Sequence, residues 1–353
     1  MIPVLFYGSA TTFTSNGIGR LVDAVSCEVN ETLNGEYVLT MQYPIDAPLA
    51  KGLMYRRIIY AKANQEDDRQ AFRICKVEKS LQRGMLTVTA NHLSYDLSGF
   101  PVTPFSATGA ANAVAGLASN SMITQPFTFS TDITDASTAF AVGEVRSIRN
   151  CIGGSDNSLL TTFGGELKFD NYDVSLLTQR GENRSVSIRY GKNLESFVNV
   201  ESVEDTYSGM VSYYSSGGTR VIGNVVYPQL PVTIGFPTPK ILIYDATSDF
   251  NSAPSVSDLD SFSSNYIVDN HIGNPYINTM TVSFVPLWQT EEYKDLKEFE
   301  TVALGDAVRI VYDGWNTVIR AYQYTYDVLS ERYTKMVLGR VKPTLAQTIK
   351  QIV

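Results

Sequence analysis

The sequence predicts a mainly β protein in which two small antiparallel β-barrels flank an α+β insert. Tyr (21) and Phe (16) are abundant beside two Trp, and Val, Ile and Thr recur in short runs, a composition that suits pleated, half-buried strands. Apolar and polar residues alternate with period two towards both ends of the chain. Between those ends the alternation lapses after Asn91 and returns at Ser185. At 353 residues the chain exceeds the roughly 250–300 residues at which one hydrophobic core stops growing. It should therefore divide, with 1–99 as the first barrel, 100–185 as the insert and 186–353 as the second barrel.

The first barrel is expected to hold strands at Ser26 to Asn30, Glu36 to Tyr43, Arg57 to Ala63, Gln70 to Ser80 and Gly84 to Ala90. Tyr37 to Tyr43 alternates almost strictly, and Asn34-Gly35 supplies the turn before it. Gln82-Arg83-Gly84 supplies a second hairpin turn. Asn91 to Leu97 reads as one or two helical turns capped by Asn91. Gly99, Pro101 and Pro104 then interrupt the chain.

In the insert, Ala-rich Thr108 to Ser119 predicts a helix weakened by Gly109 and Gly116. Val145 to Thr162 predicts a second, broken at Gly153-Gly154 and followed by strands Glu166 to Phe169 and Val174 to Thr178. The last third predicts strands at Ser185 to Tyr190, Phe197 to Asp205, Ser208 to Ser215 and Arg220 to Val226. A long excursion over about 228–275 should contain one strand, Lys240 to Tyr244. Thr290 to Lys297 has a Thr cap, early acids and late bases, the charge order of a short helix. Strands Ala307 to Tyr312, Thr317 to Asp327 and Tyr333 to Leu338 follow, with a turn at Asp313-Gly314 and a closing amphipathic helix from Pro343.

A net charge of −8 argues against a broad nucleic-acid-binding surface, because that affinity comes mainly from Lys and Arg on phosphates. Cys27, Cys75 and Cys151 are far apart and have no neighbouring His, so buried reduced thiols are expected rather than disulfides or zinc ligands. No secretory leader or membrane span is read, and synthesis in a cytoplasm is expected.

Five segments carry a resemblance: Glu31 to Tyr37 with Tyr43-Pro44; Ala90 to Leu97; Phe163 to Asn171; Tyr190 to Leu194; and Leu304-Gly305-Asp306 followed by Tyr326 to Tyr333 and Leu338-Gly339. In this order and spacing the chain resembles the prophage endopeptidase tail, or tail-associated lysin, proteins of siphophages infecting Gram-positive bacteria. The resemblance implies a fold similar to the phage baseplate hub. It also implies a homotrimer whose six barrels ring a channel at the virion tail tip.

The implied partners are the distal tail protein and a tail fibre, receptor-binding or lytic component. DNA would pass through the channel without specific binding, and contact with the host envelope would be transient. Peptidoglycan cleavage in that family belongs to a domain fused after the hub. This chain ends at Val353, just past Leu338-Gly339, so a hub without a lytic domain is the expectation. The matching residues suit fold-specifying roles: a positive-φ turn at Gly35, a helix stop at Gly164-Gly165, a bend at Gly191-Lys192-Asn193 and a turn at Gly305-Asp306. Lys192 facing a lumen or interface is a further reading.

A hydrolase needs a nucleophile with a base in reach, or a metal with several ligands. His is the limiting residue, since only His92 and His271 exist. His92 reads as a structural histidine in a partly buried helical turn, and His271 as an exposed loop residue with Asp269 as a conceivable partner. Gly17-Ile18-Gly19 lacks the third glycine of a dinucleotide loop, and Gly153-Gly154-Ser155-Asp156-Asn157 lacks the last glycine of a nucleophile elbow. Asp67-Asp68 reads as a solvated hairpin tip and Glu291-Glu292 as a helix N-terminus.

No catalytic, cofactor-binding or metal-binding residue is therefore expected, and no cofactor. The competing readings are a peptidoglycan-degrading tail endopeptidase whose catalytic part is unrecognised or lies beyond this chain, and a carbohydrate-binding module using Tyr213-Tyr214 or Trp315.

Overall fold

The computed structural model describes residues 1–155, 157–183, 186–189, 194–202, 207–228, 238–250, 252–269, 272–273, 277–284, 301–312 and 315–339. The N-terminal strands are β1 (Val4–Phe6), β2 (Gly19–Arg20), β3 (Ser26–Thr32), β4 (Tyr37–Pro44), β5 (Ile58–Lys62), β6 (Arg69–Ser80) and β7 (Met85–His92). Every second side chain of β4 and β7 is buried, as the alternation requires, and the two strands pair antiparallel from Val38–Asn91 to Pro44–Met85. Asn34, rather than Gly35, takes the positive φ (54°) in the first turn. Gly35 sits in a tight spot, since a Cβ there would lie 3.0 Å from the Thr32 side chain.

The middle stretch contains β8 (Pro101–Val102), β9 (Phe105–Thr108), α1 (Ala110–Ser119), β10 (Thr128–Thr131), β11 (Ala139–Val142), β12 (Arg146–Ser147), α2 (Leu159–Phe163), β13 (Glu166–Asp170) and β14 (Asp173–Leu177). These strands form their own small sheets, β10-β14-β13, β11-β9 and β12-β8. The helix expected over Val145 to Thr162 shrinks to a π-turn at Asn150–Gly154 and the short α2, which Ser158 caps and Gly164 (φ 68°) stops. Asn91 is not a cap. It ends within β7, and the Nδ1 atom of His92 caps a 3-10 helix, Leu93–Gly99.

The remaining elements are β15 (Ser187–Arg189), β16 (Leu194–Ser202), β17 (Gly209–Ser216), β18 (Thr219–Ile222), β19 (Ile241–Asp245), α3 (Val256–Asp269), β20 (Ile277–Phe284), β21 (Ala307–Tyr312), β22 (Trp315–Asp327) and β23 (Arg332–Leu338). The two β systems join in one 13-stranded sheet, in the order β16-β20-β23-β22-β3-β4-β7-β6-β5-β1-β2, with β15 attached through β21 to β22. The joint is β22. Its first half pairs with β21, and its second half pairs with β23 on one side and β3 on the other. Register slips beside Tyr322 and Thr334 mark bulges at this changeover, and bulges bend a strand and raise its twist.

The chain divides differently from the expected 1–99, 100–185 and 186–353. Residues 100–185 belong to one compact unit, Met1–Val198 with Met280–Val353, because their apolar faces enter the same core. Leu117, Phe140 and Leu176 lie in one cluster with Val29, Leu39 and Tyr326. The separate unit is Asn199–Thr279, where β18-β17-β19 carry α3 on one face. Within the expected 228–275 excursion, the strand is present as β19. Helix α3 was not anticipated. The helix and C-terminal segment read at Thr290 to Lys297 and from Pro343, the Asp313-Gly314 turn, Tyr190 to Asn193 with Lys192, Glu291-Glu292 and His271 lie outside the described residues.

Candidate functional site

Three remote segments meet around a polar cleft of about 280 Å³ lined by Asn64, Asp67, Lys168, Arg180, Glu182 and Leu304, among others. Behind it lies an ion pair between Glu31 on β3 and Arg180, with Nη1 and Oε1 2.8 Å apart and side chains only 8% (Arg180) and 3% (Glu31) exposed. Such a pair repays its desolvation only when further hydrogen bonds saturate it. The Tyr324 hydroxyl donates to the second Glu31 oxygen at 2.6 Å, and Arg180 Nη1 also donates to the Leu167 carbonyl. Burial alone would lower the Arg180 pKa, but the Glu31 carboxylate outweighs it and raises it. Burial, followed by Glu31, pushes the Tyr37 and Tyr324 hydroxyls well above the usual tyrosine range.

Asp67 is not the solvated tip expected of it. Its carboxylate lies half-buried between Asn64 Nδ2 (2.9 Å) and Lys168 Nζ (3.0 Å). Burial pushes its pKa up, yet the Asn64 hydrogen bond and the Lys168 and Arg180 charges hold it below the usual carboxylate range. On the far side, Arg320 of β22 grips Glu166 through two parallel bonds (2.7 and 2.9 Å) and donates to the Gly305 and Arg180 carbonyls.

Asp306 does more than open a strand. It is fully buried, and its two carboxylate oxygens accept from the amides of Glu182 and Ala303, each at 2.7 Å. Gly181 and Gly305 let these backbones touch, since a Cβ on Gly181 would lie 2.2 Å from the Gly305 carbonyl carbon. Asn34 completes the enclosure by bonding to the Gly165 carbonyl and the Leu167 amide. Segments singled out along the sequence, around Glu31, Phe163 to Asn171 and Leu304 to Asp306, thus converge in space.

His92 is wholly buried, not partly. Its Nδ1 accepts from the Ser94 amide (3.2 Å), so Nε2 carries the proton and donates to Gln70 Oε1 (3.2 Å). The ring stacks on Tyr37 at 4.4 Å. Burial, helped by the Arg149 charge, lowers its pKa to about 3. A ring with both nitrogens engaged and so little proton affinity is poorly suited to general-base work. Arg149 lies over the Tyr95 ring at 4.2 Å and donates to Ser94.

The other residues singled out scatter. Ser155 donates to the Asn150 carbonyl. Tyr213 and Tyr214 point to opposite faces of β17, and Tyr214 is buried, so they make no joint platform. Cys27 and Cys151 are buried, but Cys75 is exposed, at the register slip between Ile74 and Lys76 in β6. Among the described residues no group of three or more His, Cys, Asp or Glu could hold a metal ion, and no helix is long and apolar enough to cross a membrane.

Sequence reasoning missed Glu31, Arg180 and Arg320 as the residues that lock the cleft. Period two offered a signal for one of them: Glu31 falls in step with inward-facing Cys27 and Val29.

No protein-family model matches the sequence, and no curated protein matches it. Solved structures do match the fold. A 43 kDa tail protein of prophage MuSo2 from Shewanella oneidensis superposes with a TM-score of 0.63 at 10% identity, over 97% of this chain and 99% of that one. Prophage tail protein gp18 from Listeria monocytogenes gives 0.59 at 12% identity, over 100% and 98%. A tail protein from Neisseria meningitidis gives 0.57 at 10% identity, over 96% of each chain. The fold is mainly β with curled sheets and is shared with these phage tail proteins.

Proposed function

We propose that this chain is a structural subunit of a phage or prophage tail, a hub of the tail-associated lysin type that closes the distal end of the tail tube. The observation that carries the reading is end-to-end likeness: tail proteins from three bacteria match nearly the whole chain and are themselves matched over nearly their whole length. The interior supports the same reading. Its buried charges join remote segments rather than present groups to a substrate, and such cross-linking stiffens a subunit that must hold others in place.

In this reading three copies form a ring, each contributing its two β systems to match a sixfold tube. The ring links a distal tail protein to a receptor-binding, fibre or lytic component, and DNA passes through its channel. The chain itself cleaves nothing. Electron-microscopic reconstruction of the tail tip should place three copies around the tube axis, and a single off-axis copy or a peripheral fibre position would overturn the reading. Incubation of the purified chain with peptidoglycan should release no muropeptides. Release that is lost on replacing one carboxylate would restore the enzyme reading.

A further inference from the structure

Asparagine followed by glycine is chemically fragile, because glycine has no Cβ to keep its backbone nitrogen away from the side chain before it. The chain holds two such pairs, Asn16-Gly17 and Asn34-Gly35, and the fold treats them in opposite ways. Asn34 is locked. Its Oδ1 accepts from the Leu167 amide (2.7 Å), its Nδ2 donates to the Gly165 carbonyl (3.1 Å), and the Gly35 amide donates to the Thr32 carbonyl (2.9 Å). Bringing the Gly35 nitrogen onto the Asn34 carboxamide would break all three bonds.

Asn16 has no such restraint. Thr14, Ser15, Asn16 and Gly17 are all exposed. Among the described residues, none of the four makes a backbone–backbone hydrogen bond, the Asn16 side chain has no hydrogen-bond partner, and the Gly17 amide donates only to Ser15 Oγ, at 3.2 Å. The segment is fixed on either side instead. Phe13 stacks on Tyr60 (4.8 Å) and meets Phe6 edge-on (5.3 Å), while the Ile18 amide donates to the Leu5 carbonyl (2.7 Å). The Asn16 carboxamide can therefore turn onto the Gly17 nitrogen with the loss of one exposed bond.

We propose that Asn16-Gly17 is a site of spontaneous covalent modification that converts Asn16 to an isoaspartyl or aspartyl residue, while Asn34-Gly35 stays intact. The Gly17 nitrogen gives its proton to hydroxide and attacks Asn16 Cγ. The new carbon–nitrogen bond closes a five-membered succinimide, the Cγ–Nδ2 bond breaks, and the leaving nitrogen takes protons from water and departs as ammonia. Water then opens the ring: attack at Cγ leaves an ordinary aspartate, and attack at the main-chain carbonyl leaves isoaspartate. One water is consumed, one ammonia is released, and nothing is oxidised or reduced.

The isoaspartyl form adds one backbone carbon just before Gly17. Gly17 has little room to absorb it, since a Cβ there would already lie 2.4 Å from the Leu5 carbonyl oxygen, which the Ile18 amide also engages. Strand β2 begins two residues later. It is the last strand in the order of its sheet and is held to β1 by two register pairs, Val4–Arg20 and Leu5–Gly19. Modification should loosen it and leave β1 as an open edge, the kind of edge that invites pairing with another chain.

The test ages the purified full chain for days in mildly alkaline buffer and weighs its peptides. The Asn16 peptide should gain the mass difference between a hydroxyl and an amino group and accept methyl groups from an isoaspartyl methyltransferase, at least about tenfold faster than the Asn34 peptide. In denaturant, where the Asn34 lock is gone, the two rates should converge. Equal rates in the native protein would overturn the proposal, and so would an Asn16 that stays intact in the native chain but converts in the unfolded one. Asn16→Gln, which would need a six-membered ring, should abolish methylation of this peptide, and methylation that persists would place the reaction at another residue and overturn the assignment. In the converted protein, hydrogen exchange should quicken at the Ile18 and Leu21 amides, which donate to Leu5 and Pro3, while β7 keeps its protection. Unchanged exchange at those two amides would overturn the coupling to β2.

Discussion

The unit built from Met1–Val198 and Met280–Val353 and the unit Asn199–Thr279 use polar groups in opposite ways. In the first, charges are buried and connect remote segments: Glu31 to Arg180, Glu166 to Arg320, and Asp306 to the Glu182 amide. In the second, several carboxylates are exposed and bond close by in sequence, as in Asp245 to Thr247 and Asp258 to Ser255. The apolar interiors differ likewise. The core of the larger unit runs from Leu5 to Leu338, while among the described residues Met210, Tyr214, Ala246, Leu259 and Ile267 are the buried apolar side chains of the other. One unit is held by buried ion pairs and a large core, the other by a small core and neutral bonds such as Ser212 to the Leu259 carbonyl, so the smaller should open at lower cost.

Removing a lock tests this most severely. Arg180→Met strands the Glu31 carboxylate in the interior and should cost about 3–5 kcal/mol, read from denaturant unfolding. E31L/R180M should recover part of that loss, because two apolar side chains leave no unpaired charge. If the single variant unfolds like the parent, the pair is not a lock. In the smaller unit, Leu259→Ala should cost about 2–4 kcal/mol. Hydrogen exchange should then quicken in β17 and α3 while β4 and β7 keep their protection, and uniform quickening would show that the two units open as one.

A milder effect should follow pH. An unfolded imidazole binds its proton near pH 6.5, whereas folded His92 does so only near pH 3. Between those values the unfolded state holds more protons, so the stability from neutral His92 is complete above the upper value and is lost as pH falls towards the lower. The slope should reach about 1.4 kcal/mol per pH unit. His92→Gln should flatten the curve between pH 6 and 4, and a curve of unchanged steepness would exclude His92 as its source. The smallest effect concerns the thiols. Burial pushes the Cys27 thiol far up and raises Cys151 to about 11, whereas Cys75 is exposed. A thiol reagent should modify Cys75 in the native protein with little loss of stability, and the other two only after unfolding.

Local features were legible in the sequence. Strands β3 to β7 fall within a few residues of their expected places, because alternation and turn residues are written over short windows. Partnership between remote strands is not. Nothing in Ser26–Thr32 announces that it will pair with Gln323–Asp327, the pairing that joins the two β systems. Helix α3 hid behind a Ser- and Asp-rich composition of poor helix propensity, although Ser255 and Asp258 form a reciprocal cap that the spacing could have disclosed. At the cleft, Gly305-Asp306 was read as a turn. Its larger role depends on Gly181, over a hundred residues away, coming within touching distance.

Strand β22 gives the molecule a path for force. Its 13 residues extend about 43 Å and are shared, end to end, by the β21 pairing and the β3–β23 pairing. Tension entering through one of these pairings therefore leaves through the other along covalent backbone, without crossing an interface that could peel. The flanking strands run beside the pull, so their hydrogen bonds would have to shear as a group rather than unzip singly. Arg320, rooted at the middle of this strand and clamped to Glu166, would carry the same strain sideways into the insert.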